Sequence, residues 1–77
     1  MTSDLFRQSL YGAEYGVEFD REEREFRVYK IVWSVYNRDY CAKQIGSPIP
    51  KDKPYEEYSK WDYEQMIQTA IEEEVNA

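Results

Sequence analysis

A run of alternating apolar residues in the middle of the chain, EFRVYKIVWSVYNRDY from Glu25 to Tyr40, constrains the fold more than any other feature. Valine, isoleucine, tyrosine and tryptophan dominate this run, as they dominate β-strands. In an extended chain one side carries Phe26, Val28 and Val32, and the other carries Tyr29, Ile31, Trp33 and Val35. The sequence therefore predicts the central strand of a small sheet, and something must cover its second apolar face.

The residues before this run predict its antiparallel neighbour. Val17 and Phe19 alternate with acidic residues, so we expect a hairpin whose loop lies around Arg21–Arg24. The alternative is one helix from Glu22 to Tyr40, which the acidic start DREERE would favour. The hairpin is preferred because the second half of such a helix would be apolar on every side.

The amino-terminal segment predicts a helix that starts at Ser3 and ends near Tyr11, with Gly12 or Gly16 as its stop. Ser3 is a residue type that caps helices. Apolar and small residues recur at helical spacing along it: Leu5, Phe6, Ser9, Leu10 and Ala13.

The segment after the central strand is ambiguous. Tyr40–Ile45 predicts a third antiparallel strand, because Asn37 and Asp39 before it favour a turn. A short helix capped by Ser34 or Asn37 and ending at Gly46 is the alternative. The proline-rich stretch GSPIPKDKP that follows is interpreted as a connector that neither a helix nor a central strand can cross.

The last segment predicts an amphipathic helix from Ser59. Its apolar stripe comprises Tyr63, Met66, Ile67, Ala70, Ile71 and Val75. The sequence SKWD resembles a capping box, and a preliminary turn is expected near Pro54. The fold class expected is therefore α+β, one small domain over residues 1–77: an amino-terminal helix, a two- or three-stranded antiparallel sheet, and this helix packed on the sheet.

The charge is net −6 and lies mainly in residues 47–77, which carry eight acidic and three basic residues. This balance disfavours contact with phosphate backbones and suits a protein partner with a basic surface. The start of the chain lacks the basic and apolar pattern of a secretory signal, and no segment predicts a membrane span. With Cys41 as the single cysteine, we expect a reducing, cytoplasmic setting.

Enzyme chemistry is not expected from this inventory of residues. The chain has no histidine and one cysteine, too few for a zinc or iron–sulfur site or an activated nucleophile. Cys41 is either a small packed residue or a reactive thiol, and the sequence leaves that open. We therefore expect no metal, no cofactor and no catalytic residue.

Eight of the 77 residues are tyrosine, which is enriched at protein interfaces. The expected function is a small acidic protein-binding module, an inhibitor or adaptor that occupies a partner surface. A basic nucleic-acid-binding groove of a host enzyme is one such surface, as a viral inhibitor would use. The alternatives are self-association through an aromatic sheet face, and single-stranded nucleic-acid binding by Phe26, Tyr29 and Trp33. The expected partner-binding residues are Tyr29, Trp33, Tyr55, Tyr58, Trp61, Glu56, Glu57, Asp62, Glu72, Glu73 and Glu74.

Overall fold

A computed structural model describes residues 6–76 and gives a four-stranded antiparallel sheet with one helix across it. The strands follow one another in the order β1-β2-β3-β4, so every connection is a hairpin. The elements are β1 (Phe6–Leu10), β2 (Ala13–Asp20), β3 (Glu25–Ser34), β4 (Asp39–Pro50), a short 3₁₀ turn (Tyr55–Glu57) and α1 (Lys60–Asn76). The α+β class, the antiparallel sheet and the carboxyl-terminal helix packed on it are confirmed.

The predicted amino-terminal helix is wrong over the residues described. Phe6–Leu10 is a strand that pairs with Ala13–Val17 of β2. Tyr11 and Gly12 connect the two strands, and both have positive φ, 52° and 77°. Such a pair forms the two-residue turn whose twist matches a hairpin, so Gly12 closes a turn and does not end a helix. The expected cap at Ser3 lies outside the residues described, as does Leu5.

The prediction for residues 25–45 is confirmed, but the sheet has four strands and not two or three. β2 and β3 pair as expected across Arg21–Arg24. The predicted third strand at Tyr40–Ile45 is confirmed over the alternative helix, and it continues through the prolines to Pro50 as β4. The interpretation of GSPIPKDKP as a connector is wrong as far as Pro50. β4 is an edge strand, and an edge tolerates Pro48 and Pro50, which cannot donate to a neighbouring strand. A register shift between Phe26 and Val28 accommodates the extra residues of β4.

The helix begins as the sequence predicts. Ser59 and Asp62 form the predicted capping box, in which the backbone N–H of Ser59 donates to Asp62 Oδ2 over 2.8 Å. The stripe is buried at Tyr63, Met66, Ile67 and Ala70, whereas its last member Val75 is 77% exposed.

α1 crosses the sheet from one edge strand to the other. Near its start, the Tyr63 ring stacks on Phe6 of β1, with centroids 5.6 Å apart. Near its end, Ala70 lies against Gly46 of β4, so closely that a Cβ at Gly46 would be 2.8 Å from Ala70 Cα. Between these contacts lies the core, whose most completely buried side chains are Phe26, Ile67, Val17 and Val28.

Candidate protein-binding surface

The face of the sheet opposite α1 carries a row of apolar side chains. Because side chains alternate along β3, burial of Phe26 and Val28 under the helix sends Tyr29, Ile31 and Trp33 to the other side. On β4, Ala42 lies opposite Ile31 and Tyr40 lies opposite Trp33. We call this set the open-face cluster: Tyr29, Ile31, Trp33, Tyr40 and Ala42.

The cluster is most exposed where the β3–β4 hairpin projects beyond the rest of the sheet. The pairing of β2 with β3 stops at Glu14 and Ile31, so Trp33 has a neighbour only in β4. Trp33 and Tyr40 meet edge to face with ring centroids 5.0 Å apart, and they remain 55% and 66% exposed. Edge-to-face contact between cross-strand aromatics holds both rings in place. The result is a pre-ordered aromatic surface in contact with water.

Acidic groups lie beside the open-face cluster, on β2 and at the start of β3. On the same face, β2 contributes Glu14 and Glu18, and Glu14 pairs with Arg7 of β1. At the far end of β3, Arg27 bonds Asp20 over 2.7 Å and Glu25 over 2.9 Å. Both arginines of this face are therefore balanced by carboxylates, and the face as a whole is acidic.

The pKa values at this salt-linked corner shift in the directions that the contacts require. The backbone N–H of Glu23 donates to Asp20, and this bond is the main reason that the pKa of Asp20 is lowered; Arg27 adds to the effect. Partial burial works against the charge of Arg27, but the Glu25 and Asp20 carboxylates raise its pKa. Arg27 is therefore committed to its own chain.

The other predicted binding residues lie on the helix side, away from Tyr29 and Trp33. Tyr55 and Trp61 are exposed near the start of α1, Trp61 by 65%. Glu56 and Glu57 are exposed in the 3₁₀ turn beside them. The structure thus divides the predicted residues between two sides of the sheet.

Two of these residues are engaged within the chain. Tyr58 packs on Phe26 with centroids 4.7 Å apart, and its hydroxyl donates to Asp52 over 2.9 Å. Burial raises the pKa of Tyr58. The Asp62 carboxylate accepts from the Ser59 backbone and binds Lys53 Nζ over 3.0 Å, and in that order these contacts lower its pKa.

The acidic end of α1 has a structural role that the sequence did not indicate. Glu73 Oε1 accepts from the backbone N–H of Ser47 over 2.7 Å, and Glu74 Oε2 accepts from Gly46 over 3.5 Å. Both donors lie on the edge strand β4, where no further strand of residues 6–76 satisfies them. Glu72 is exposed and makes no such bond to the edge.

Sequence reasoning missed Tyr36 and Tyr40 as surface residues. Tyr36 is fully exposed in the β3–β4 turn, and Tyr40 completes the ring pair with Trp33. Tyr40 could have been found from hairpin geometry. If Asn37 and Asp39 mark a turn, the residue that pairs with Trp33 must lie shortly after that turn.

A shallow depression of about 320 Å³ lies between β4 and the first half of α1. Tyr58, Lys53 and Asp62 line it together with Ile49 and Met66. Lys53 and Asp62 already form a salt bridge with each other, so we interpret the depression as the packing boundary between β4 and α1.

Within the part of the chain that the structure describes, no three His, Cys, Asp or Glu side chains form a group that could hold a metal ion. Among the same residues no helix has the length and apolarity to cross a membrane. Cys41 is half-buried on β4, with Asn37 Nδ2 3.8 Å from its sulfur.

No protein-family description, curated protein or solved structure matches this chain.

Proposed function

We propose that this chain is a non-catalytic protein-binding module, an inhibitor or adaptor, that docks the open-face cluster on an apolar surface of another protein. The observation that carries the proposal is the Trp33–Tyr40 pair, two large rings that are held in place yet more than half exposed. Tryptophan and tyrosine at the centre of an interface supply much of its binding energy. Rings already fixed by each other lose little further freedom when a partner covers them.

The distribution of exposed apolar side chains supports this choice of surface. Among residues 6–76, eight large hydrophobic residues are exposed, and four of them lie within residues 33–40: Trp33, Val35, Tyr36 and Tyr40. The core does not require them, because α1 fills the other face of the sheet with its own apolar stripe. Contiguous exposed apolar surface on a small domain is typical of interaction sites.

The charge around the cluster indicates the chemistry of the partner. Glu14 and Glu18 lie beside the cluster, and Arg7 and Arg27 are balanced by carboxylates. A partner with an apolar centre and lysines or arginines at its rim would complement this face. A basic nucleic-acid-binding groove has such a rim, so inhibition of a nucleic-acid enzyme stays within the proposal.

Direct binding of single-stranded nucleic acid is disfavoured by the same observations. Of the three rings expected to stack on bases, Phe26 is fully buried under α1, on the opposite face from Tyr29 and Trp33. The neighbouring Arg27 bonds two carboxylates and is not free for phosphate.

Site-directed photocrosslinking tests the proposal. Benzoylphenylalanine would replace Trp33 in one protein and Trp61 in a matched control, since both are exposed tryptophans on opposite sides of the sheet. In an extract of cells that produce the protein, we expect a discrete adduct from position 33 that excess wild-type protein suppresses. An adduct from position 61 with none from position 33 would contradict the choice of surface.

A further inference from the structure

The outer edge of β4 has unsatisfied backbone groups in one short window. Tyr40 donates its backbone N–H to Asp39 Oδ1 over 2.7 Å, and Gly46 donates to Glu74, so neither bonds to β3. Alternate residues of an edge strand point the same way, so the N–H groups of Ala42 and Gln44 also point outwards. Among residues 6–76, no side chain accepts from either.

We propose that two copies of this chain pair through this window, β4 against β4, antiparallel about a twofold axis at Cys41. Tyr40 of each copy then faces Ala42 of the other: the Ala42 N–H donates to the Tyr40 carbonyl, and the Tyr40 N–H exchanges Asp39 Oδ1 for the Ala42 carbonyl, which releases the Asp39 carboxylate. Both open faces stay on the same side, because a twofold axis perpendicular to the sheet preserves its faces. The pairing gives one continuous eight-stranded sheet, since each copy contributes four strands.

Charge selects this register over its neighbours. Lys43 lies directly opposite Lys30 of β3, a like-charge pair that is unfavourable across strands. Within the residues described, neither lysine has a salt bridge. An axis at Cys41 brings Asp39 of the second copy opposite Lys43, twice per dimer. An axis at Lys43 would instead place the two Lys43 side chains together, and an axis at Ala42 would leave Lys43 opposite Cys41.

The same register gives the end of α1 a basic neighbour. The last turn of α1 has no basic residue although it carries acidic ones, an arrangement that the helix dipole disfavours. The paired strands end where Asp39 of the second copy lies opposite Lys43, because residues 35–38 form the turn before β4. Arg38 precedes Asp39 in that turn, so it comes beside Gln44 of the first copy, two residues from Gly46, where Glu73 and Glu74 lie.

The dimer changes the size of the apolar surface without depending on what that surface binds. Because Tyr40 faces Ala42 of the second copy, the two open-face clusters become neighbours on one sheet. The pairing itself uses the edge of β4, so it stands independently of the proposed function.

Charge exchange in the intact chain tests the register. Sedimentation equilibrium would measure dimerisation of the wild type, Asp39→Lys, Lys43→Glu and the double variant. We expect each single variant to dimerise on the order of tenfold more weakly, because attraction becomes repulsion at two symmetric contacts. We expect the double variant to recover most of the loss. Lys43→Glu places a carboxylate opposite Lys30, so its monomer should unfold no earlier than wild type, which separates loss of pairing from loss of fold.

Oxidation of Cys41 tests the position of the axis. Cys41 alternates with the outward-pointing residues, so it faces its copy as a non-hydrogen-bonded pair, with Cα atoms about 4.5 Å apart. That distance lies within the range of disulfides, about 4.4–6.8 Å. Mild oxidation should crosslink the wild type rapidly and the control Cys41→Ser/Thr69→Cys slowly, since Thr69 is exposed on α1.

Three results would overturn the proposal: a monomer at about 1 mM chain, a double variant no better than the single ones, or equal crosslinking of the control. Trp33→Ala should leave dimerisation unchanged, so failure of the dimer and failure of the partner surface are distinguishable.

Discussion

Substitution of Gly46 by alanine tests how closely the helix is seated on β4. Gly46 has φ of +67°, and a Cβ there would lie 2.8 Å from Ala70 Cα and 2.9 Å from Ala70 Cβ. An L-residue in this backbone region costs about 1–2 kcal/mol. Overpacking against helix backbone adds about 1–3 kcal/mol, because neither atom belongs to a flexible side-chain end. We therefore expect Gly46→Ala to lower the free energy of unfolding by about 3 kcal/mol.

Gly12→Ala is the matched control. Gly12 also has positive φ, +77°, but nothing lies within 4 Å of its Cβ position. It should cost only the backbone part, about 1 kcal/mol. A domain of this size is stable by roughly 4–12 kcal/mol, so the two losses are readily separated.

The assay is urea unfolding followed by circular dichroism at one fixed protein concentration, because dimerisation would shift the midpoint. The two variants should share the wild-type slope and differ in midpoint. Equal losses for Gly46→Ala and Gly12→Ala would refute the close contact between Ala70 and β4, and with it the path of α1 across the sheet.

Three further comparisons, made with five substitutions, separate the roles of these residues. Phe26→Ala should cost about 3–5 kcal/mol of unfolding free energy, since its ring is fully buried, whereas Trp33→Ala should cost about 1 kcal/mol or less; similar losses in urea unfolding would contradict the assignment of the two faces. The pKa of Asp62 is lowered in the folded chain, so the stabilisation that its carboxylate provides is present above the ordinary value of 3.8 and is lost as the pH falls below it. Between about pH 5 and pH 3, the urea midpoint of wild type should therefore drop more steeply than that of Asp62→Asn. Parallel curves for the two proteins would contradict this. Glu73→Ala should lower the thermal midpoint because Ser47 loses its acceptor, and Glu72→Ala should not; the reverse order would show that the acidic end of α1 does not cap β4.

The carboxyl-terminal helix and the central hairpin could be predicted because one pattern dominates in each. Tyr63, Met66, Ile67 and Ala70 recur at helical spacing and no strand pattern competes. The sequence of β3 would form a helix that is apolar on every side, which a helix exposed to water cannot be. A strand with at least one covered face was therefore the better prediction.

The first strand could not be predicted because its sequence fits two periods. Phe6 and Leu10 are four residues apart, a spacing shared by one face of a helix and one face of a strand. Pairing with β2 decides between them, and only tertiary structure supplies it. Tyr11–Gly12 lacks the asparagine or aspartate that usually marks such a turn.

The candidate surface was partly predictable for a similar reason. Tyr29 and Trp33 were identified from alternation within one strand, which is local. Tyr40 belongs to the same surface because the register of β3 and β4 places it opposite Trp33. Glu73 and Glu74 do not belong to it, because the end of α1 lies at the edge of β4 and both carboxylates bond to that edge. The spacing of residues along the chain predicts neither the register of β3 and β4 nor the position of the end of α1.

The central claim, that the open-face cluster binds another protein, is tested most directly by the affinity of the photocrosslinked partner once it is purified. Titration calorimetry would compare wild type with Trp33→Ala and with Trp61→Ala, which removes an equally exposed tryptophan from the helix side. We expect Trp33→Ala to raise the dissociation constant at least about thirtyfold, as loss of a central aromatic does, and Trp61→Ala to leave it within about twofold. Equal affinities of the partner for wild type and Trp33→Ala would contradict the claim.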